Sequence, residues 1–137
     1  MIDTSRLNAL QPAAMLALRL YVGGFLIVGV WDNITSTARM AEFEAFLAGL
    51  NCPLPALAAP VSVWAQFAIG AALILGMLTR WAGLLLSLNF VVAVVLLWSG
   101  GADARELFPP AVLIFVGLIL ATYGAGRWSL DARRGKH

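Results

Sequence analysis

The sequence predicts an all-α fold, an antiparallel bundle of four transmembrane helices with a short amphipathic helix in the first outer loop. Three observations carry that prediction. Of 137 residues, 61% are hydrophobic and 12% charged, with a mean hydropathy of +0.88, whereas a soluble domain carries about a quarter charged residues. Four long apolar runs, 12–30, 61–79, 81–98 and 108–123, approach the roughly 20 residues that a helix needs to cross the hydrocarbon core. All five tryptophans fall at or near the ends of these runs, where an apolar ring with one polar N–H suits the membrane–water interface. Residues 1–137 therefore read as one membrane domain embedded in a lipid bilayer.

The first span, "PAAMLALRLYVGGFLIVGV", holds Arg19 among apolar residues. A charge inside a span is costly, and by default it marks a candidate functional residue whose partner must be named. Arg19 lies seven residues past Pro12, about 10 Å into the helix at a rise of 1.5 Å per residue. Helix side chains lean toward the N-terminus, so the guanidinium can snorkel to the inner interface. Asp131 is the natural counter-ion there, with Asp3 a second choice. The alternative has Arg19 facing a bound anion.

The outer loop that follows is long enough for its own helix, about 36–50. Thr35 or Ser36 can cap its start, and Gly49 or Asn51 followed by Pro53 can end it. Met40, Phe43, Phe46, Leu47 and Leu50 share one face, mostly apart from Arg39, Glu42 and Glu44. Such a helix lies in the interface or covers the bundle mouth. Lid and passive surface helix both stay open.

The second and third spans are joined by "MLTRWAG", a link so short that they must form an antiparallel hairpin. Small residues four apart (Ala72/Gly76, Gly83/Ser87, Gly117/Ala121) mark faces where helices can approach closely in lipid. Gln66 stands thirteen residues before Thr79, roughly 20 Å from the inner end, with Asp32 and Asn33 as expected neighbours. Asn89, eight residues past Trp81, falls near the depth of Arg19 and can bond the guanidinium or simply tie two helices together. Ser87 is expected to bond its own helix backbone. "SGGADARELFPP" reads as a loop, with Pro109 and Pro110 in the first turn of the last span. The polar residues thus divide into an inner set (Arg19, Asn89, Arg80, Asp131) and an outer set (Asp32, Asn33, Gln66). These are two structural clamps or the two ends of a proton path.

Four spans place both termini and the second–third link on one side. Arg6, Arg80, Arg127, Arg133, Arg134 and Lys136 lie there, against Arg39 and Arg105 opposite. The bias predicts cytoplasmic termini. A net charge of +2 gives no indication of nucleic acid binding. The lone cysteine, Cys52, excludes an internal disulfide and any Cys-x-x-Cys motif. It reads as a free thiol, with sulfur carriage or an intermolecular bridge as alternatives. The only histidine is the last residue, His137, so no metal site and no His-ligated haem is expected. The first run has no small-residue cleavage site behind it, and no signal peptide is expected. No nucleophile stands with a base, so catalytic residues are unassigned. The basic tail "GRWSLDARRGKH" anchors the topology or docks an acidic partner or anionic lipid.

"LRLYVGGFLIVG", "QFAIGAALILGMLTR" and "GAGRWSLDARR", in that order, resemble the DoxX family of small four-helix membrane proteins. Gln66, Gly70, Gly76, Thr79 and Arg80 fall where that family shows a polar residue, two glycines and a Thr-Arg end. Gly124 to Asp131 is similar to its closing Gly-x-Gly-x-x-Ser-Leu-Asp. The chain departs from the family at Gln66, where glutamate is frequent, and at "VWDNI", where a lysine is frequent. The resemblance implies a bacterial-type inner-membrane protein, an accessory or anchoring subunit of a quinone-linked, sulfur-handling redox system. Redox proteins of the membrane or cytoplasm would then be partners, and a homo-oligomer is open. The alternative is a quinone-binding oxidoreductase module with its own site near Arg19 and Asn89, the ring flanked by Tyr21, Phe25 or Phe90. Either way a quinone is the only cofactor implied. Arg19, Asn89, Gln66 and Asp32 are the candidate binding or polar-network residues, and Arg19, Arg80 and Asp131 the candidate structural ion pairs.

Overall fold

Four helices long and apolar enough to cross a bilayer run up and down in the computed structural model, which describes residues 3–135. Lys136 and His137, which enter the charge count and the metal argument, lie outside the described residues. A 3-10 segment, Ser5–Leu10, leads into α1 (Gln11–Thr35), with Pro12 in its first turn, where a missing N–H costs nothing. α2 (Thr37–Gly49) follows after one residue. Ser36 caps it by accepting the Arg39 N–H at 3.3 Å. α3 (Pro55–Leu75) and α4 (Thr79–Ser99) form the hairpin, and α5 (Ala104–Tyr123) is the last long helix. A short α6 (Leu130–Arg133), which the sequence reading did not anticipate, follows it. Both described termini and the α3–α4 turn share one end, and α2 lies at the other.

The helices extend beyond the apolar runs toward the α2 end. α3 starts at Pro55 rather than Val61, and α5 starts at Ala104, capped by Asp103, whose Oδ1 accepts the Glu106 N–H at 2.9 Å. Pro109 and Pro110 therefore sit in the second turn of α5, not the first, and leave the carbonyls of Arg105 and Glu106 without an intrahelical donor. Trp64 likewise stands nine residues inside α3 rather than at its end. It packs edge-on against Phe67, ring centres 5.9 Å apart. The other four tryptophans keep their places near helix ends.

The bundle is built of two tight pairs. α1 packs on α3 and α4 on α5, while the hairpin partners α3 and α4 touch far less. Lipid offers no hydrophobic drive between helices, so close backbone approach must supply the contact. At the α1/α3 crossing, a Cβ on Gly23 would stand 2.7 Å from the Gly70 carbonyl oxygen. At the α4/α5 crossing, a Cβ on Gly83 would stand 2.6 Å from the Gly117 carbonyl oxygen. Ser87 Oγ donates across this second seam to the Ile114 carbonyl at 2.7 Å, not to its own helix as expected. Val22 and Leu26, Ile69 and Leu73, Ala82 and Leu86, and Leu113 and Leu120 join the two pairs in one core. Large apolar side chains outside it, such as Val28, Leu88 and Phe115, are exposed.

The crossings make a direct test. Gly23→Ala and Gly83→Ala should each lose about 1–3 kcal/mol through overpacking. Gly24→Ala, with nothing within 4 Å of the added carbon, should be neutral or slightly stabilising. Thermal unfolding in a neutral detergent reads the difference, and equal effects at Gly23 and Gly24 would contradict the crossing.

Candidate functional site

Two polar constellations stand apart along the bundle. The first gathers at the end that carries the termini. Arg19 is 1% exposed, and its guanidinium donates to the Leu73 carbonyl at 3.0 Å and to the Trp128 carbonyl. The last carbonyls of a helix lack intrahelical donors and carry the negative end of its dipole, so the final turn of α3 suits a cation. Gly76, at φ +68°, closes that turn with Met77 N–H on the Ala72 carbonyl at 2.9 Å and its own N–H on Leu73 at 3.2 Å. This is a Schellman ending, which favours glycine. Any Cβ there would also collide with the guanidinium and with Ser129.

Asp131 grips the other side of the same turn. Its carboxylate accepts the N–H groups of Leu78 at 2.8 Å and Thr79 at 2.9 Å, and its own N–H donates to the Gly76 carbonyl at 2.8 Å. Leu78 supplies no side-chain cap, so a distant segment caps α4, and a carboxylate suits a helix N-terminus. Arg80 donates to the Ala121 carbonyl at 3.1 Å and the Thr122 carbonyl at 2.5 Å, closing α5 with a cation at its C-terminus. Arg19 Nε and Thr79 Oγ1 are buried with no hydrogen-bond partner among the described residues. The sequence reading paired Arg19 with Asp131 directly. Among the described residues they form no ion pair, because the α3–α4 turn lies between them and each charge bonds backbone instead.

The second constellation lies in the wedge where α3 and α4 separate. Phe43, Phe46 and Leu47 of α2 and Leu50 just after it roof it, and Val61, Ala65, Leu85, Phe90 and Ala93 line its walls. The result is a half-enclosed groove of about 530 Å³, a size typical of small-molecule sites. Its polar side chains are Ser62, Gln66 and Asn89, beside the Cys52 thiol, and no charged side chain lines it. Gln66 Nε2 donates to Ser62 Oγ at 3.0 Å, and Ser62 Oγ donates to Asn89 Oδ1 at 2.9 Å. Gln66 Oε1 and Asn89 Nδ2 have no partner among the described residues.

This geometry redraws the two sets expected from sequence. Gln66 lies nine residues before Leu75, and Asn89 ten after Thr79, about 14 and 15 Å from the turn. Counting α3 through Thr79, which instead opens α4, had set Gln66 too far out. Asn89 belongs with Gln66 and not with Arg19. Asp32 is exposed near the end of α1, and Asn33 Nδ2 bonds the Arg39 carbonyl of α2 at 3.2 Å, so neither meets Gln66. Tyr21 and Phe25 are exposed on α1, whereas Phe90 and the free thiol of Cys52 line the groove. Ser62 is not among the residues expected from sequence, although its four-residue spacing from Gln66 puts both on one helix face. The Leu73 and Trp128 acceptors gave no signal, since a backbone carbonyl has no residue type.

A comparison with protein families adds identity to this geometry. The DoxX family model matches residues 14–98, more than half of the chain, and the chain belongs to that family. The match contains α1 from Ala14 to the end region of α4, hence the whole groove. No curated protein and no solved structure matches the chain.

The clasp is tested by substitution. Asp131→Ala should cost about 1–3 kcal/mol by leaving the start of α4 uncapped, and Arg19→Met a similar amount for each carbonyl left unpaired. Exchanging the two, Arg19→Asp with Asp131→Arg, should recover nothing, because each charge is held by backbone groups of one polarity that the exchanged side chain cannot satisfy. Recovery in thermal unfolding would restore a direct pair.

Proposed function

We propose, from membership of the DoxX family together with the groove, that this protein is an accessory membrane subunit of a quinone-linked redox system and holds the quinone-class molecule between α2, α3 and α4. The observation that carries the reading is the Ser62–Gln66–Asn89 line at mid-depth in an otherwise apolar, uncharged groove. A lipid-soluble ring with oxygen substituents needs a few hydrogen bonds at one end and packing everywhere else. The groove offers both, with Phe46 and Phe90 beside the ring position. Arg19 is not the ligand's donor in this reading, since it is buried at the terminal end of the bundle and does not line the groove.

The rest of the molecule supports a scaffold. Arg80, Arg127, Arg133 and Arg134 gather at the end that carries the termini, so that end faces the cytoplasm across a bacterial-type inner membrane. It presents a basic surface to an acidic redox partner, which supplies the redox centre while this chain supplies binding and position.

The test is ligand binding by the purified protein in a mild neutral detergent, with decylubiquinone as probe. Ala65→Phe and Ala93→Phe fill the groove and should weaken binding at least tenfold, about 1.4 kcal/mol, with helix content unchanged. Unchanged affinity in both variants would place the ligand elsewhere. Isolation from native membranes should recover a stoichiometric redox partner, and a chain that is always recovered alone would overturn the subunit role.

A further inference from the structure

The hydrogen-bond direction within the groove carries more than its polarity. Ser62 has one hydroxyl proton, and it can be given to only one of the two amides. As the side chains stand, Gln66 donates to Ser62 and Ser62 donates to Asn89. That leaves the Gln66 carbonyl oxygen and the Asn89 amino group facing the groove. The amide ends of Gln and Asn can be exchanged without changing their shape. If both are turned, Ser62 donates to Gln66 and accepts from Asn89, leaving the Gln66 amino group and the Asn89 oxygen unengaged. Either setting presents the same inventory, one amide oxygen that needs a donor and N–H groups that need an acceptor. No charged side chain in the groove competes for them.

A fully oxidised quinone carries carbonyl acceptors only. It would satisfy the amide N–H groups and leave the amide oxygen unpaired and cut off from water, which is unfavourable in an apolar site. A ring hydroxyl both donates and accepts, and so satisfies both amides at once. Resting on the quinone-class reading of the groove, we infer that Gln66, Ser62 and Asn89 select the hydroxylated, reduced form of the ligand, the quinol, over the quinone. The neutral lining fits a quinol that keeps both protons, and it disfavours carboxylate or phosphate head groups, for which a cation would be needed. The site therefore holds the reduced form of its ligand at mid-depth in the bilayer.

The experiment compares one ring in two oxidation states. Decylubiquinone and the same molecule reduced to its quinol are titrated anaerobically into the full chain in neutral detergent, with sodium oleate as a charged-head control. The quinol should bind about tenfold tighter than the quinone, the factor expected when one buried polar group is left unpaired, and oleate should not compete. Gln66→Met, which keeps length and volume but replaces the amide, should reduce the preference to less than about twofold. Ser62→Ala, which frees both amides from their fixed relation, should also narrow it and serves if the first variant fails to fold. Equal binding of the two oxidation states, or tighter binding of the quinone, overturns the selectivity and leaves the groove reading standing. Binding of neither form overturns both. Competition by oleate overturns the neutral-ligand assignment.

Discussion

A guanidinium and a carboxylate, both buried in the terminal end of a membrane bundle, hold this fold together without touching each other. Bare charges in such surroundings carry a large desolvation cost, and here each is met by backbone groups that helix ends leave unpaired. Arg19 takes a carbonyl from the last turn of α3 and another from the segment after α5. Asp131 takes two N–H groups at the start of α4. The helix dipoles give each charge the right sign at the right pole. Three parts of the chain distant in sequence, α1, the α3–α4 hairpin and the segment after α5, are thus fastened around one three-residue turn, and only glycine at position 76 leaves room for it.

The groove follows from what the clasp and the glycine crossings do to the hairpin. α3 is drawn onto α1 by Gly23 and Gly70, and α4 onto α5 by Gly83 and Gly117. Held together at the turn and pulled apart by different partners, α3 and α4 must open a wedge toward α2. Phe43, Leu47 and Leu50 cover that wedge because the amphipathic helix has its apolar face there and its Arg39–Glu42 pair, 3.3 Å apart, on the exposed side.

Much of this was legible in the residues. Span number, the amphipathic helix over Thr37–Gly49 and the Gly83–Ser87 seam follow from period and composition alone. Arg19 stands out as a charge in an apolar run and Asp131 as a carboxylate at the same end of the bundle, and the structure sets both against the α3–α4 turn. Their partners were not legible, since the acceptors and donors are main-chain atoms set free by helix endings. Depth was misjudged for Gln66 because hydropathy continues smoothly through the turn at Gly76–Leu78. Only the positive φ of Gly76 and Leu78 breaks the helix there. Asp32 looked like a partner for Gln66 because both were assigned to one level, and that level moved once the helix ends were known.

The clasp and the groove are linked by leverage. Asn89 lies ten residues along α4 from Thr79, so a tilt of about ten degrees at the turn moves it by roughly 2.6 Å over a 15 Å arm. That displacement is comparable to the 2.9 Å bond between Ser62 and Asn89, and hydrogen bonds weaken steeply with such stretching. The turn that fixes the tilt is itself fixed by Asp131 and by Gly76, and the segment carrying Asp131 lies at the end that carries Arg80, Arg133 and Arg134. Any contact that shifts that segment acts on the turn first, then on the angle of the wedge, then on the polar line at its centre. A chain with almost no charge to deploy inside the bilayer thus ties the angle of its half-enclosed groove to the turn at its terminal end by geometry alone.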